Sequence, residues 1–371
     1  MSRQQPPFRA DHVGSFLRPM KIRTAREQLA RNEIDKAALQ VIEDEAIREI
    51  ARYQEDLGLR AVTDGEFRRR FFHTDFLTKL EGVTEQGGLP VKFHTQAGEL
   101  DYAPPVLQVS SKVQRSQPIM LRDFEYLRSV TGATPKVTIP SPTMLHFRGG
   151  RQGISAQAYP DMEQFYADVA RAYADELRAL GEAGCTYVQL DDTNLAYLCD
   201  STQREAARQR GHDPDALPRL YARLINMSIA DRPANMTVCV HLCRGNFRSA
   251  WAAEGGYEPV AEILFNELNV DGYFLEYDDA RSGDFAPLRF VPKNKTVVLG
   301  LITTKVGIVE SRESIIERIN AAATIVPLDQ LCLSPQCGFS STEHGNDLAY
   351  EAQTAKLRLV VDTARIIWGD P

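Results

Sequence analysis

The sequence predicts an α/β fold, a single closed (β/α)8 barrel of the TIM type. Three observations carry this. Eight short apolar or β-branched runs punctuate the chain, helical patterns separate most of them, and nearly every run ends in a polar, chemically capable residue. An open doubly wound sheet is the alternative, but no GxGxxG turn follows the first run. The length of 371 residues accommodates one large barrel with insertions, here residues 1–371.

The eight runs are residues 8–14, 61–66, 136–140, 187–191, 237–241, 272–276, 296–300 and 331–334. A long amphipathic helix is expected over 35–57, with Ile42, Ala46, Ile50, Tyr53 and Leu57 on one face. Further helices are expected over 161–183, ended by Gly184, and over 218–229, 313–325 and 347–368. Ser314 and Glu317 have capping-box spacing near the start of the 313–325 helix. Two connections are long. Residues 82–135 contain Gly87-Gly88, Pro104-Pro105 and a strand-like run over 106–113, which reads as a β-hairpin excursion. Residues 193–234 are polar and read as a helical insertion, a lid over the site or a homodimer interface.

Composition narrows the function. Acidic residues outnumber Lys and Arg by 50 to 43, so a nucleic-acid partner is not expected. No apolar run approaches the ~20 residues of a membrane helix, and the N-terminus carries no apolar signal core, so a cytoplasmic location is expected. Six cysteines are too sparse for a disulfide scaffold.

In a barrel all strand carboxyl ends meet on one face, where the chemistry of such folds is placed. Ser15 follows the first run, Glu66 ends the second, Thr143 lies past the third and Asp191 ends the fourth. His241 ends the fifth with Cys243 two residues on, Glu276 ends the sixth, and Lys305 and Cys337 follow the seventh and eighth. His241, Cys243, Glu276 and Cys337 together make an N/O/S2 set that suits tetrahedral Zn²⁺; a core cysteine and a hydrogen-bonded histidine are the plainer alternative. Cys239 is expected on the opposite side of its strand from His241, and Cys185, Cys199 and Cys332 are read as packing residues. Glu66 and Asp191 suit metal ligation, acid–base work or an ammonium clamp, against structural pairing with Arg68, Arg69 or Arg70; Asp278 and Asp279 read as surface acids. A zinc site with two protein thiolates favours thiol chemistry over hydrolysis.

These motifs, in order, resemble the C-terminal catalytic barrel of cobalamin-independent methionine synthase. They are His12-Val13-Gly14-Ser15-Phe16, Asp64-Gly65-Glu66-Phe67, Thr143-Met144-Leu145 and Val188-Gln189-Leu190-Asp191. They continue with His241-Leu242-Cys243, Leu275-Glu276 and Ser334-Pro335-Gln336-Cys337-Gly338, so the likeness spans about residues 8 to 368. The resemblance implies that His241, Cys243, Glu276 and Cys337 bind zinc. It implies that Val13, Gly14, Ser15, Glu66 and Asp191 hold the amino-acid end of homocysteine, and that the protein is a zinc-dependent S-methyltransferase. The chain departs from the family in lacking an N-terminal barrel. It carries Leu100-Asp101 ahead of Pro104-Pro105 where the family has an Arg-Cys folate motif. Phe147 stands in place of a folate-stacking tryptophan, and Thr304 or Lys305 in place of the catalytic histidine.

The expected reaction is therefore methyl transfer to homocysteine, giving methionine, from methyltetrahydrofolate or another donor such as a corrinoid protein or a methoxy compound. Lys305 is expected to act as a catalytic group or to bind an anionic group of the donor. Two alternatives are transfer of 2-mercaptoethanesulfonate onto an epoxide, with Arg68 to Arg70 receiving the sulfonate, and a non-catalytic zinc- or thiol-binding barrel.

Overall fold

The structure is a computed structural model and describes residues 3–88, 91–95, 98–103 and 105–370. In chain order it forms α1 (Met20–Ala30), α2 (Lys36–Asp56), β1 (Ala61–Val62), α3 (Thr74–Leu77), β2 (Glu81–Gln86), β3 (Val91–Thr95), β4 (Gly98–Tyr102) and β5 (Val106–Gln114). Then come α4 (Leu121–Val130), β6 (Thr134–Pro135), β7 (Val137–Pro140), α5 (Met162–Glu182), β8 (Tyr187–Asp192), α6 (Asn194–Tyr197), α7 (Ser201–Gln209) and α8 (Leu217–Ile229). The last are β9 (Thr237–Leu242), α9 (Glu258–Asn266), β10 (Gly272–Glu276), β11 (Thr296–Ile302), α10 (Arg312–Ala323), β12 (Leu331–Pro335) and α11 (Tyr350–Trp368).

Strands β7 to β12 form one parallel sheet in sequence order. β6 leads into β7 and pairs in parallel with β1, and the Lys136 amide continues that ladder to the Val62 carbonyl at 2.8 Å. The first run closes the ring between β12 and β1. Asp11 N donates to Leu333 O at 3.0 Å and Leu333 N to Arg9 O at 2.9 Å, while Thr63 Oγ1 reaches Gly14 O at 2.6 Å. Residues 8–14 contribute only one ladder bridge, at Ala10, rather than the full strand expected. The Asp11 carboxylate takes the amides of Phe8 and His12 that a ladder would use. The second run is also shorter than 61–66, because Gly65 (φ 68°) and Glu66 (φ 61°) turn the chain into left-handed conformations.

Seven long helices flank the barrel. α2 starts where Asp35 accepts the Ala38 amide at 2.8 Å, and α5 where Asp161 accepts the Glu163 amide at 2.9 Å, with Gly184 left-handed beyond its end. α10 is capped by Ser311, not Ser314. Ser311 has extended backbone and its Oγ accepts the Ser314 amide at 3.1 Å, so Ser314 is already inside the helix. α2, α4, α5, α8 and α9 neighbour one another in turn, and α10 packs on α11. After β10 the helix position is filled by short 3-10 turns, Ala280–Ser282 and Ala286–Phe290, the second against α9. Within 193–234, α8 lies against α5 and α9 as a barrel helix, and α6 and α7 precede it.

The segment 82–135 holds two antiparallel pairs, β2 with β5 and β3 with β4, followed by α4. The β3–β4 pair docks on the loop after β9, where His94 N donates to Trp251 O at 2.7 Å and Trp251 N to His94 O at 2.9 Å. Of its Pro104-Pro105 motif, Pro104 lies outside the described residues. No helix among the described residues is long and apolar enough to cross a membrane.

The barrel interior is a layer of Phe8, Val13, Ala61, Tyr187, Cys239, Phe274, Val298 and Cys332. Cys239 therefore faces inward like His241, correcting the expectation that it lies opposite. Residues two apart on a strand share a face. A fully buried pair crosses this layer: Lys136 Nζ lies 3.1 Å from Asp11 Oδ1 and 4.1 Å from the Phe274 ring centre. Asp11 also accepts the Tyr187 hydroxyl at 2.8 Å. Lys136→Met strands a buried carboxylate, so we expect a loss of about 3–5 kcal/mol in stability. Denaturant unfolding checks this, and adding Asp11→Asn should recover part of the loss.

Candidate metal centre

Four donors meet at the carboxyl end of the barrel. His241 stands near the end of β9 and Cys243 just beyond it, Glu276 ends β10, and Cys337 follows β12. One ligand atom from each lies within 4.8 Å of the others, and all four residues are buried. The sulfurs of Cys243 and Cys337 are 3.6 Å apart. Two thiolates on one tetrahedral zinc, each at ~2.3 Å, stand about 3.8 Å apart. The spacing thus suits a shared cation without rearrangement.

The surroundings prepare each donor. His241 Nδ1 lies 3.3 Å from Asp191 Oδ1, which orients the ring and turns Nε2 toward the cluster, 3.9 Å from Glu276 Oε1. Glu276 Oε1 accepts the Arg244 amide at 3.1 Å, and Oε2 is buried without a hydrogen-bond partner among the described residues. The hydrogen bond from Cys243 holds the Cys337 thiol below its ordinary range, and the same contact holds the Cys243 thiol well up.

The two strand-end acids face the same cavity as this cluster, together with Val13 and Ser15. Glu66 Oε1 accepts Thr138 Oγ1 at 2.9 Å, and Oε2 has no hydrogen-bond partner among the described residues. Burial pushes the Glu66 carboxyl up to about 7; Arg69, 3.8 Å away, opposes this and Asp191 adds to it. Arg68 and Arg70 are engaged elsewhere, Arg68 with Asp44 and Asp123 and Arg70 with Glu343. Asp191 accepts Gln189 Nε2 at 2.7 Å, and the same amide nitrogen donates to Val13 O.

Gly14 stands behind the wall at φ 131°, where a Cβ would meet Thr138 Cγ2 at 2.7 Å. Ser15 docks on the Cys337 loop: its carbonyl accepts Phe339 N at 2.9 Å. Lys305 is buried, its Nζ has no hydrogen-bond partner among the described residues, and its charge favours thiolate at both cysteines. Phe147 is not brought to the metal cluster. It lines a neighbouring cavity, packed edge-on against Tyr197 and Tyr221 with Arg210 over its ring. Asp278 is not a surface acid: its side chain is 1% exposed and pairs with Arg281 at 2.7 Å.

Several residues here carried no sequence signal. Buried Arg18 donates to the carbonyls of Glu66, Ser340 and Thr342, tying the Glu66 turn to the Cys337 loop. His73 and Arg148 come from loops and line the same cavity, as do Phe93 and Tyr102 from the β3–β4 pair and Phe247 from the loop after β9. Gln189 had a signal, since it sits two residues before Asp191 and shares its inward face.

YxjH of Bacillus subtilis is 47% identical over 98% of this chain and 96% of its own length. A solved Listeria monocytogenes structure, provisionally described as a vitamin-B12-independent methionine synthase, is 40% identical and superposes with a TM-score of 0.79 over 99% of this chain and 100% of that one. The 5-methyltetrahydropteroyltriglutamate–homocysteine methyltransferase of Bacillus velezensis is 23% identical over 95% of this chain, which spans 42% of that enzyme. The profile of the cobalamin-independent synthase catalytic domain matches residues 8–366, essentially the whole barrel with its cluster and acids, and the chain belongs to that family.

Proposed function

We propose that this protein is a zinc-dependent methyltransferase that moves a methyl group onto the thiolate of homocysteine, giving methionine. The observation that carries the reading is that two buried acids, Glu66 and Asp191, line one cavity with His241, Cys243 and Cys337 of the four-residue cluster. The donor types, the 3.6 Å sulfur separation and Glu276 Oε2, which has no hydrogen bond among the described residues and only Arg281 at 3.9 Å, all fit Zn²⁺. When bound there, Zn²⁺ would lower the pKa of a substrate thiol so that it reacts as thiolate at neutral pH.

The chain's own residues do the rest. Glu66 and Asp191 hold the substrate ammonium, with Glu66 giving up its proton as the cation arrives. Gln189 fixes Asp191 and the Val13 carbonyl together, and Ser15 stands on the opposite wall. Asp191 also keeps His241 oriented. Lys305 places an unpartnered cation near the two thiols and balances their negative charge. All six cysteines are free and buried, as suits a reducing compartment such as the cytoplasm.

The Arg68 to Arg70 run is poorly placed to receive the sulfonate of 2-mercaptoethanesulfonate. Arg68 and Arg70 are already paired, and Arg69 donates to Thr138 O. Calorimetric titration of L-homocysteine into zinc-loaded protein, with 2-mercaptoethanesulfonate as comparator, tests the acceptor. We expect zinc-dependent binding of homocysteine alone. Failure of homocysteine to bind would overturn the reading, and a metal unresponsive to any thiol would favour a purely structural site.

A further inference from the structure

We propose that the other half of this cavity is a subsite for a zwitterionic methyl-onium donor. This is a small sulfonium or quaternary ammonium compound carrying a carboxylate, with aromatic rings around its cation and Arg148 on its carboxylate. The inference rests on the methyltransferase reading above and names the class of donor.

Aromatic side chains from separate elements converge on the space in front of the thiols. Phe72 follows β1, Phe93 and Tyr102 come from the β3–β4 pair, Tyr197 from α6 and Phe247 from the loop after β9. Tyr102 and Phe247 stack with centroids 3.8 Å apart, and Phe93 lies 5.7 Å from Phe247. Such walls present π faces that attract a methylated cation, which carries no N–H or O–H needing a partner. Two positive groups stand nearby, Arg148 in the wall and Lys305 behind the thiols, and they would repel a donor that is only a cation. A zwitterion answers both features. The Arg148 side chain meets that of Tyr197, but its Nη1 is buried without a hydrogen-bond partner, and His73, 5% exposed, has neither ring nitrogen partnered among the described residues. Unused polar groups in a mostly aromatic wall mark where a polar end of a ligand belongs, since leaving them unmade is costly.

The leaving group points the same way. A methylated neutral amine departs as an anion unless an acid protonates it. Burial, with Arg148 nearby, holds His73 at about 3, so it stays neutral at physiological pH, and Lys305 does not line the cavity. An onium donor requires no acid. The homocysteine thiolate forms the new S–CH3 bond as the donor's S–CH3 or N–CH3 bond breaks. The bonding pair stays on the departing atom, whose positive charge it cancels, so a neutral thioether or amine leaves and no proton moves.

The test uses zinc-loaded protein and homocysteine with trideuteromethyl-labelled S-methylmethionine, dimethylsulfoniopropionate or glycine betaine, and labelled methyltetrahydrofolate as comparator. Labelled methionine is read by mass spectrometry. We expect multiple turnovers from at least one onium compound, which also identifies sulfonium or ammonium as the source. Binding is read separately by calorimetry. Glycine betaine should bind at least five-fold tighter than its neutral-headed isostere 3,3-dimethylbutanoate. Tyr102→Leu and Phe247→Leu should remove that preference, and Arg148→Met should weaken both ligands while homocysteine affinity is unchanged. If homocysteine binds but no onium compound donates and the isostere binds equally well, the inference fails and the methyltransferase reading stands. If homocysteine does not bind, both fall.

Discussion

Cys337→Ala protein should purify with little or no zinc, should bind added zinc about 10²- to 10³-fold more weakly than wild type, and should show no measurable methyl transfer. The magnitude follows from the whole. Structural zinc sites bind with about 10–16 kcal/mol, so one thiolate of four ligands accounts for about 3–4 kcal/mol. Cys337 is also the sulfur whose thiol is held below its ordinary range by its contact with Cys243. Its loss leaves the cluster with one sulfur donor, Cys243, in place of two. Cys332→Ala is the control. It lies on β12 just before Cys337, is fully buried in the barrel interior, and has no part in the cluster. That variant should lose stability through a cavity, by about 1–2 kcal/mol, and keep its zinc. Metal analysis with thermal unfolding separates the two cases.

That contrast also shows what the sequence made legible. Strand ends are visible because a β-branched run stops abruptly at a polar residue, and the barrel topology then brings eight such ends together without further information. The cluster and the acids were legible for that reason. Helices such as α2 and α5, with a strong apolar stripe and an Asp cap, were legible nearly to the residue. α1 and α7 were not, since they bury only Ile22 and Ala25 or Ala207 and leave little periodic signal. The donor side of the cavity was also hidden. His73, Arg148 and Phe247 stand in loops whose path depends on tertiary contacts such as the His94–Trp251 bridge, and spacing along the chain carries no trace of them. Phe147 came from motif position alone, which does not show that its loop turns the ring toward Tyr197 and Tyr221 in the neighbouring cavity.

Glu66→Gln should weaken homocysteine binding by about 10- to 100-fold, the cost of replacing a hydrogen bond to a charged group by a neutral one at about 1.5–3 kcal/mol. Its pH dependence distinguishes a binding role from a structural one. Glu66 titrates at about 7, above its ordinary 4.5, chiefly through burial and with Asp191 adding to it. The ammonium needs the ionised form, so between pH 6 and 8 wild-type binding should release one proton more than the Gln variant, which keeps only the slope that the zinc-bound thiol contributes. Stability runs the other way. A carboxyl whose folded pKa is raised stabilises the fold fully below about 4.5, and that contribution is lost as pH rises through 7. Ligand-free Glu66→Gln protein should therefore match wild type near pH 4 and be the more stable of the two at pH 8. A structural acid held by Arg69 would predict the reverse, with the substitution destabilising at high pH. A variant that gains stability and loses substrate over the same pH interval would show that the buried charge is kept for the ligand, since the fold is better without it.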